Sequence, residues 1–114
     1  MLAVNVFQKI IDRETPAKVV YEDDQCLAFH DAGPQAPVHV LLIPKKPIVN
    51  LADATPEDQA LLGHLLLVAP AIAEKLGVGG AFRLNVNNGA AVGQSVFHLH
   101  LHILGGRAFA WPPG

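Results

Sequence analysis

The stretch "SVFHLHLHIL", residues 95–104, restricts the fold of this chain more than any other. His98, His100 and His102 occupy every second position, and Phe97, Leu99, Leu101 and Ile103 fill the places between. Side chains of a strand point alternately to its two faces. The spacing therefore predicts a strand over 96–106 with three imidazoles on one side and four large apolar groups on the other. The apolar side needs cover, so the strand must belong to a sheet with another layer packed on it. Histidine is not a favoured residue on an exposed strand surface, and three at strict alternation point to a site rather than to a solvated face.

The remaining chain supplies such a sheet. "NVFQKIIDRE" has Asn5 as a helix cap and an apolar stripe of Val6, Phe7, Ile10 and Ile11, which predicts a short helix. "AKVVYEDD", "CLAFHD", "VHVLLIP" and "AFRLNVNNG" read as four further strands, separated by turns rich in glycine, proline and asparagine. "ATPEDQALLGHLLLVAPAIAEKLGVGG" reads as one long helix, with Thr55 at its cap, Pro56 next and Asp58 approximating a capping box. Pro70 lies inside that helix and is expected to kink it. The predicted class is α+β: a five-stranded, mainly antiparallel sheet with one long and one short helix. No repeat or linker divides the chain, so residues 1–114 are expected to form a single domain.

Composition narrows the class of function. The chain is 51% hydrophobic and 16% charged, which excludes disorder. A net charge of -2 and a pI of about 6.3 give no basic field for nucleic acid. No apolar run is long enough to span a bilayer, and the N-terminus does not read as a signal peptide. The single cysteine, Cys26, cannot form an internal disulfide, and this fits a cytoplasmic location. Cys26 reads as a small buried hydrophobe.

The histidines admit three readings. They are a polar strand face, a metal site with Cys26, His39 or Asp31 completing it, or a catalytic group acting on phosphorus. In the last case a neutral imidazole attacks the phosphoryl centre, and its neighbours orient it and donate to the phosphate oxygens. The central ring, His100, is the natural nucleophile. The preceding "GQS" favours this reading, because Gly93 lets backbone N–H groups approach an anion and Ser95 adds a hydroxyl.

"HLHLHIL" resembles the His-x-His-x-His motif, with apolar x, of the histidine triad (HIT) superfamily. The segments "PAKVVYEDDQCLAFHDAGPQAPVHVLLIPKK", "LLGHLLLVA", "RLNVNNG", "VGQSVFHLHLHILGGR" and "WPPG" are similar to the Hint branch, the histidine triad nucleotide-binding proteins. The likeness runs from about Phe7 to Gly114. It implies a HIT-like fold, a homodimer, and binding of a purine nucleoside monophosphate or its phosphoramidate. The implied activity is cleavage of the P–N bond of nucleoside 5′-phosphoramidates, such as adenosine phosphoramidate or AMP-lysine.

The resemblance also implies roles, position by position. His100 matches the nucleophile that becomes nucleotidylated. His102 matches its phosphate-contacting neighbour, and His98 and His39 match supporting histidines. Ser95 matches a phosphate contact and a group able to pass a proton to the leaving amine, with Gly93 and Gln94 completing the phosphate loop. Asp31 matches the carboxylate that accepts both ribose hydroxyls, which suits its two oxygens. Ala32 and Asn87 match nucleoside contacts. Phe7, Ile10 and Phe29 match the walls around the base. His30 and His64 receive no role; His30 is expected to point away from Asp31, and His64 to lie on the helix surface or at an interface. The implied chemistry needs no metal and no cofactor.

The chain departs from the family pattern at Pro70 and at Asn88, where an acidic residue is common. The long helix and "AFRLNVN" are the expected dimer surfaces, with Trp111 reaching toward the partner. Two alternatives stay open: a dinucleoside polyphosphate hydrolase, or a nucleotide-binding regulatory module with little turnover.

Overall fold

The computed structural model describes residues 5–114. Helix α1 spans Val6–Ile11, and the side chain of Asn5 accepts the backbone N–H of Gln8 at 2.8 Å, as its cap role requires. Strands β1 (Val19–Glu22), β2 (Cys26–His30) and β3 (Val38–Pro44) follow. A 3-10 turn over Pro56–Asp58 leads into helix α2, Gln59–Lys75. Strands β4 (Phe82–Asn85) and β5 (Leu101–Gly105) complete the sheet, whose order is β1-β2-β3-β5-β4. Every ladder is antiparallel.

The sheet is covered on both faces, and its alternation sorts the residues. Cys26, Ala28, Val40, Leu42, Leu101 and Ile103 turn to α2, where they meet Leu65, Val68, Ala69 and Ile72. Leu27, Phe29, Leu41 and Ile43 turn to the opposite face and meet Phe7 from α1. Leu42, Ile43 and Ile103 are wholly buried. Each such side chain contributes about 1.5–3 kcal/mol of hydrophobic stabilisation. Because β3 is buried on both faces, it reads as a continuous apolar run with His39 as its one polar interruption.

The predicted Thr55 cap and capping box form, but they cap the 3-10 turn Pro56–Asp58, and α2 itself begins three residues later than expected, at Gln59. The Asp58 carboxylate accepts the Thr55 N–H at 2.9 Å and also receives the Lys46 ammonium. Pro70 lies on the exposed side of α2 and neither ends nor divides it. Leu66 and Leu67, at 57% and 78% exposure, share that outer side. Among the described residues no helix is long and apolar enough to cross a membrane.

One expected strand is shorter than its pattern. Residues 96–100 make no ladder, and β5 begins only at Leu101. Leu99 is buried with the α2 core, but Phe97 is 51% exposed, so the apolar stripe fails at its first position. The cause is a competing partner: the Leu99 N–H donates to Ile48 O at 2.7 Å, outside the sheet. That bond pulls the segment off the strand path.

Candidate active site

The site forms where β3 and β5 run side by side on the α1 face. Their register sets Leu41 opposite His102 and His39 opposite Leu104. His39 and His102 are thus diagonal neighbours on one face, close enough for long side chains to meet. His39 Nε2 lies 2.9 Å from His102 Nδ1. His100, just before the strand, packs its ring 5.0 Å from that of His102 and 5.0 Å, edge-on, from Phe7. A cleft of about 990 Å³ opens over them, lined by Phe7, Ile10, Phe29, Asp31, Ala32, His39, Ser95, His100 and His102 among others.

The hydrogen bonds determine where each imidazole carries its proton. The Gln35 N–H donates to His39 Nδ1 at 3.0 Å, so the His39 proton is on Nε2. That Nε2–H donates to His102 Nδ1, which places the His102 proton on Nε2. His100 Nδ1 lies 2.7 Å from the carbonyl of His98, so it must donate there and leave Nε2 with a free lone pair. This tautomer leaves His100 Nε2 able to act as a nucleophile. His102 is a donor whose Nε2 has no partner among the described residues, although it is buried. A buried donor without an acceptor is costly unless a ligand supplies one.

Burial favours the neutral forms of His102 and His39. It lowers the pKa of His102 to about 4, with the positive fields of His100 and His39 adding to the effect and Asp31 opposing it. Burial also lowers His39, again against the pull of Asp31, whose Oδ2 lies 3.4 Å from His39 Nε2. The Asp31 Oδ1 accepts the Gly33 N–H at 2.7 Å, which fixes the carboxylate at the mouth of the cleft.

The third histidine of the motif does not share the open face. His98 is 1% exposed and donates Nε2–H to Pro44 O at 2.8 Å, while its Nδ1 meets no partner among the described residues. Burial lowers its pKa. Its ring serves as an anchor, and its carbonyl orients His100. The expectation of three side-by-side rings is corrected to two rings in the cleft and one beneath it, because residues 96–100 do not follow strand geometry.

The other expected residues divide into two groups. Phe7, Ile10, Phe29, Asp31, Ala32 and Ser95 line the cleft. Asn87, Gly93 and Gln94 are not among its lining residues. Gly93 has φ of +107°, which favours glycine, and a side chain there would meet Asn87 Nδ2 at 3.7 Å. Asn87 Oδ1 accepts Asn85 Nδ2 at 3.0 Å. Gln94 is 3% exposed and bonds only to its own surroundings. Asn88 accepts the Ala52 N–H at 2.8 Å, a tie between loops. His64, expected on the helix surface, is 31% exposed and contacts Asp23 Oδ2 at 2.6 Å. His30 is exposed at the cleft rim, beside Lys18. Its position there was not legible, because strand alternation only predicts that it leaves the face of Asp31.

Two clusters among the described residues bring three metal-type ligand atoms within 4.8 Å of one another: Asp31, His39 and His102, and Asp23, Cys26 and His64. In the first, both His39 nitrogens already bond, so an ion there would break the chain of tautomers. In the second, burial pushes the Cys26 thiol up to about 12, which disfavours the thiolate that a metal requires.

Two adjoining imidazoles with tautomers fixed by hydrogen bonds, on an antiparallel sheet between two helix layers, make a site suited to a histidine-based hydrolase. Residues 12–109 match the HIT domain family, and the chain belongs to that family. It is 72% identical over 109 residues to an uncharacterized HIT-like protein of Synechocystis sp., covering 96% of each. A HIT-like protein of Synechococcus elongatus, also uncharacterized, is 62% identical over the same length. Among solved structures, a HIT family hydrolase from Legionella pneumophila superposes with a TM-score of 0.93 at 46% identity, covering 96% of this chain and 98% of that one. A histidine triad protein from Clostridium difficile gives 0.87 at 40% identity, covering 92% of each. The fold is that of HIT family hydrolases.

Proposed function

We propose that the protein hydrolyses the P–N bond of purine nucleoside 5′-phosphoramidates through a nucleotidyl-histidine intermediate, as in the Hint branch. The observation that carries this is the His100 tautomer, with Nδ1–H held by the His98 carbonyl and a free Nε2 in the cleft. Nε2 attacks the α-phosphorus, a P–N(His) bond forms, and the substrate's P–N bond breaks. The leaving amine takes a proton, for which the Ser95 hydroxyl is the placed relay. Water then attacks phosphorus and returns a proton to the Ser95 relay, the bond to His100 breaks with its electron pair going back to Nε2, and the nucleoside monophosphate leaves. His102 Nε2–H donates to the phosphate oxygens throughout.

The cleft walls support the nucleotide assignment. Phe7 and Phe29, 5.5 Å apart and edge-to-face, offer an apolar slot for a base. Asp31 at the mouth suits a ribose diol. The exposed outer side of α2, carrying Leu66 and Leu67, and the 83% exposed Trp111 support the homodimer; a stable monomer in sedimentation at micromolar concentration would count against it.

The test is a brief reaction with a slowly hydrolysed adenosine phosphoramidate, followed by mass spectrometry. An AMP adduct on His100 is expected. Faster turnover of a diadenosine polyphosphate would favour the alternative hydrolase reading, and nucleotide binding without turnover would favour a regulatory module.

A further inference from the structure

We infer that Gln94 is a positioning residue that sets the reactive geometry of His100 without touching substrate; this rests on the His100 chemistry proposed above. The catalytic segment 96–100 has no ladder partner. The stretch 94–100 hangs instead on the crossing segment 44–49, by three bonds. Gln94 Nε2 donates to Val49 O at 2.7 Å, the Leu99 N–H to Ile48 O at 2.7 Å, and His98 Nε2–H to Pro44 O at 2.8 Å. Two of the three come from side chains that are almost fully buried, Gln94 and His98.

Gln94 is also the knot of the preceding loop. Its Oε1 accepts the Gly89 N–H at 2.8 Å, its own N–H donates to Gly89 O at 3.1 Å, and Nε2 reaches Val96 O at 3.2 Å. The loop further consumes the N–H groups of Val92 and Gly93, on Gly89 O and Ala90 O. Gln94 therefore has neither a free backbone donor nor a free amide proton to offer an anion. Among the described residues no backbone acceptor takes the Ser95 N–H. Ser95, which lines the cleft, is thus the first position of the loop with both an N–H and a hydroxyl to give. One buried amide fixes where that donor ends and where the His98 carbonyl behind His100 lies. A single side chain so placed couples the phosphate loop to the nucleophile.

The test compares wild-type protein with Gln94→Met, which keeps the length and loses the polar atoms, and with Gln94→Glu, which keeps an acceptor for Gly89. Amide hydrogen exchange reads the geometry without any ligand. Protection at Leu99 is expected to fall about tenfold or more in Gln94→Met while Ile103 in β5 is unchanged. Adenosine phosphoramidate kinetics read the consequence: kcat falls about 10–100-fold and the dissociation constant for AMP stays within about threefold. Gln94→Glu is expected to lie between the two. Unchanged Leu99 exchange would overturn the inference, as would equal loss of protection at Leu99 and Ile103, which marks general destabilisation. A rise in the AMP dissociation constant that matched the loss of kcat would instead make Gln94 a contact and also overturn it. A wild-type chain with no phosphoramidate turnover would defeat the proposed function, and the exchange result would still decide Gln94.

Discussion

His39 Nε2 donates to His102 Nδ1 across 2.9 Å, joining two strands through their side chains as well as their backbones. Because the Gln35 N–H occupies the other nitrogen of His39, this bond can run in one direction only. It therefore sets His102 as a donor toward the cleft. Replacing His39 by Gln, which cannot reproduce the fixed relay, is expected to lower kcat about 10–100-fold. Steady-state kinetics check the rate, and nitrogen NMR of His102 is expected to show a mixture of tautomers.

Removing the nucleophile has a larger effect. His100→Ala is expected to reduce turnover by at least about 1000-fold, since no nearby group replaces a covalent nucleophile. Calorimetry with AMP is expected to show binding retained, because the walls Phe7, Ile10 and Phe29 and the carboxylate of Asp31 remain. A variant that turned over at the wild-type rate would disprove the assignment of His100.

Stability is expected to fall as the pH drops below about 6.5 toward 4. His39, His98 and His102 all have folded pKa values depressed by burial, His102 to about 4. In this window the unfolded chain binds protons at these rings and the folded chain does not, so acid favours unfolding. Urea midpoints at pH 7.5 and 5.0 check this. An equal or higher midpoint at pH 5.0 would contradict it.

Pro70→Ala is expected to stabilise the fold by about 1–3 kcal/mol. Proline inside a helix withholds an N–H from the carbonyl four residues earlier and crowds it. Pro70 is exposed in the protomer, so the substitution removes no core contact. A thermal melt measured alongside sedimentation separates helix stability from any change in association.

Cys26 is expected to resist alkylation in the native state. It is fully buried, and its thiol is pushed up to about 12, so little thiolate exists to react. Iodoacetamide labelling should proceed at the rate of unfolding, and rapid native labelling would refute this.

Much of the architecture was legible in local chemistry. The Asn5 and Thr55 caps and the run over Val38–Pro44 each follow from spacing and turn residues, and each lies where those signals place it. The alternation of Leu101, His102 and Ile103 also holds. It fails upstream, at His98 and His100, because periodicity describes a strand only while a ladder supplies partners.

The sequence by itself determined the residue types of the site and the faces of the central strands, since both depend on neighbours within a few positions. Only the tertiary structure decided which nitrogen of each imidazole carries the proton. Val49, Ile48 and Pro44 supply the carbonyls that hold Gln94, Leu99 and His98 from 45 or more residues away, and His39 lies 63 residues before His102, the ring it fixes. A neutral imidazole has two nearly equivalent tautomers: a distant ring selects that of His102, and the nearby His98 carbonyl selects that of His100 only because contacts with residues 44–49 hold it in place.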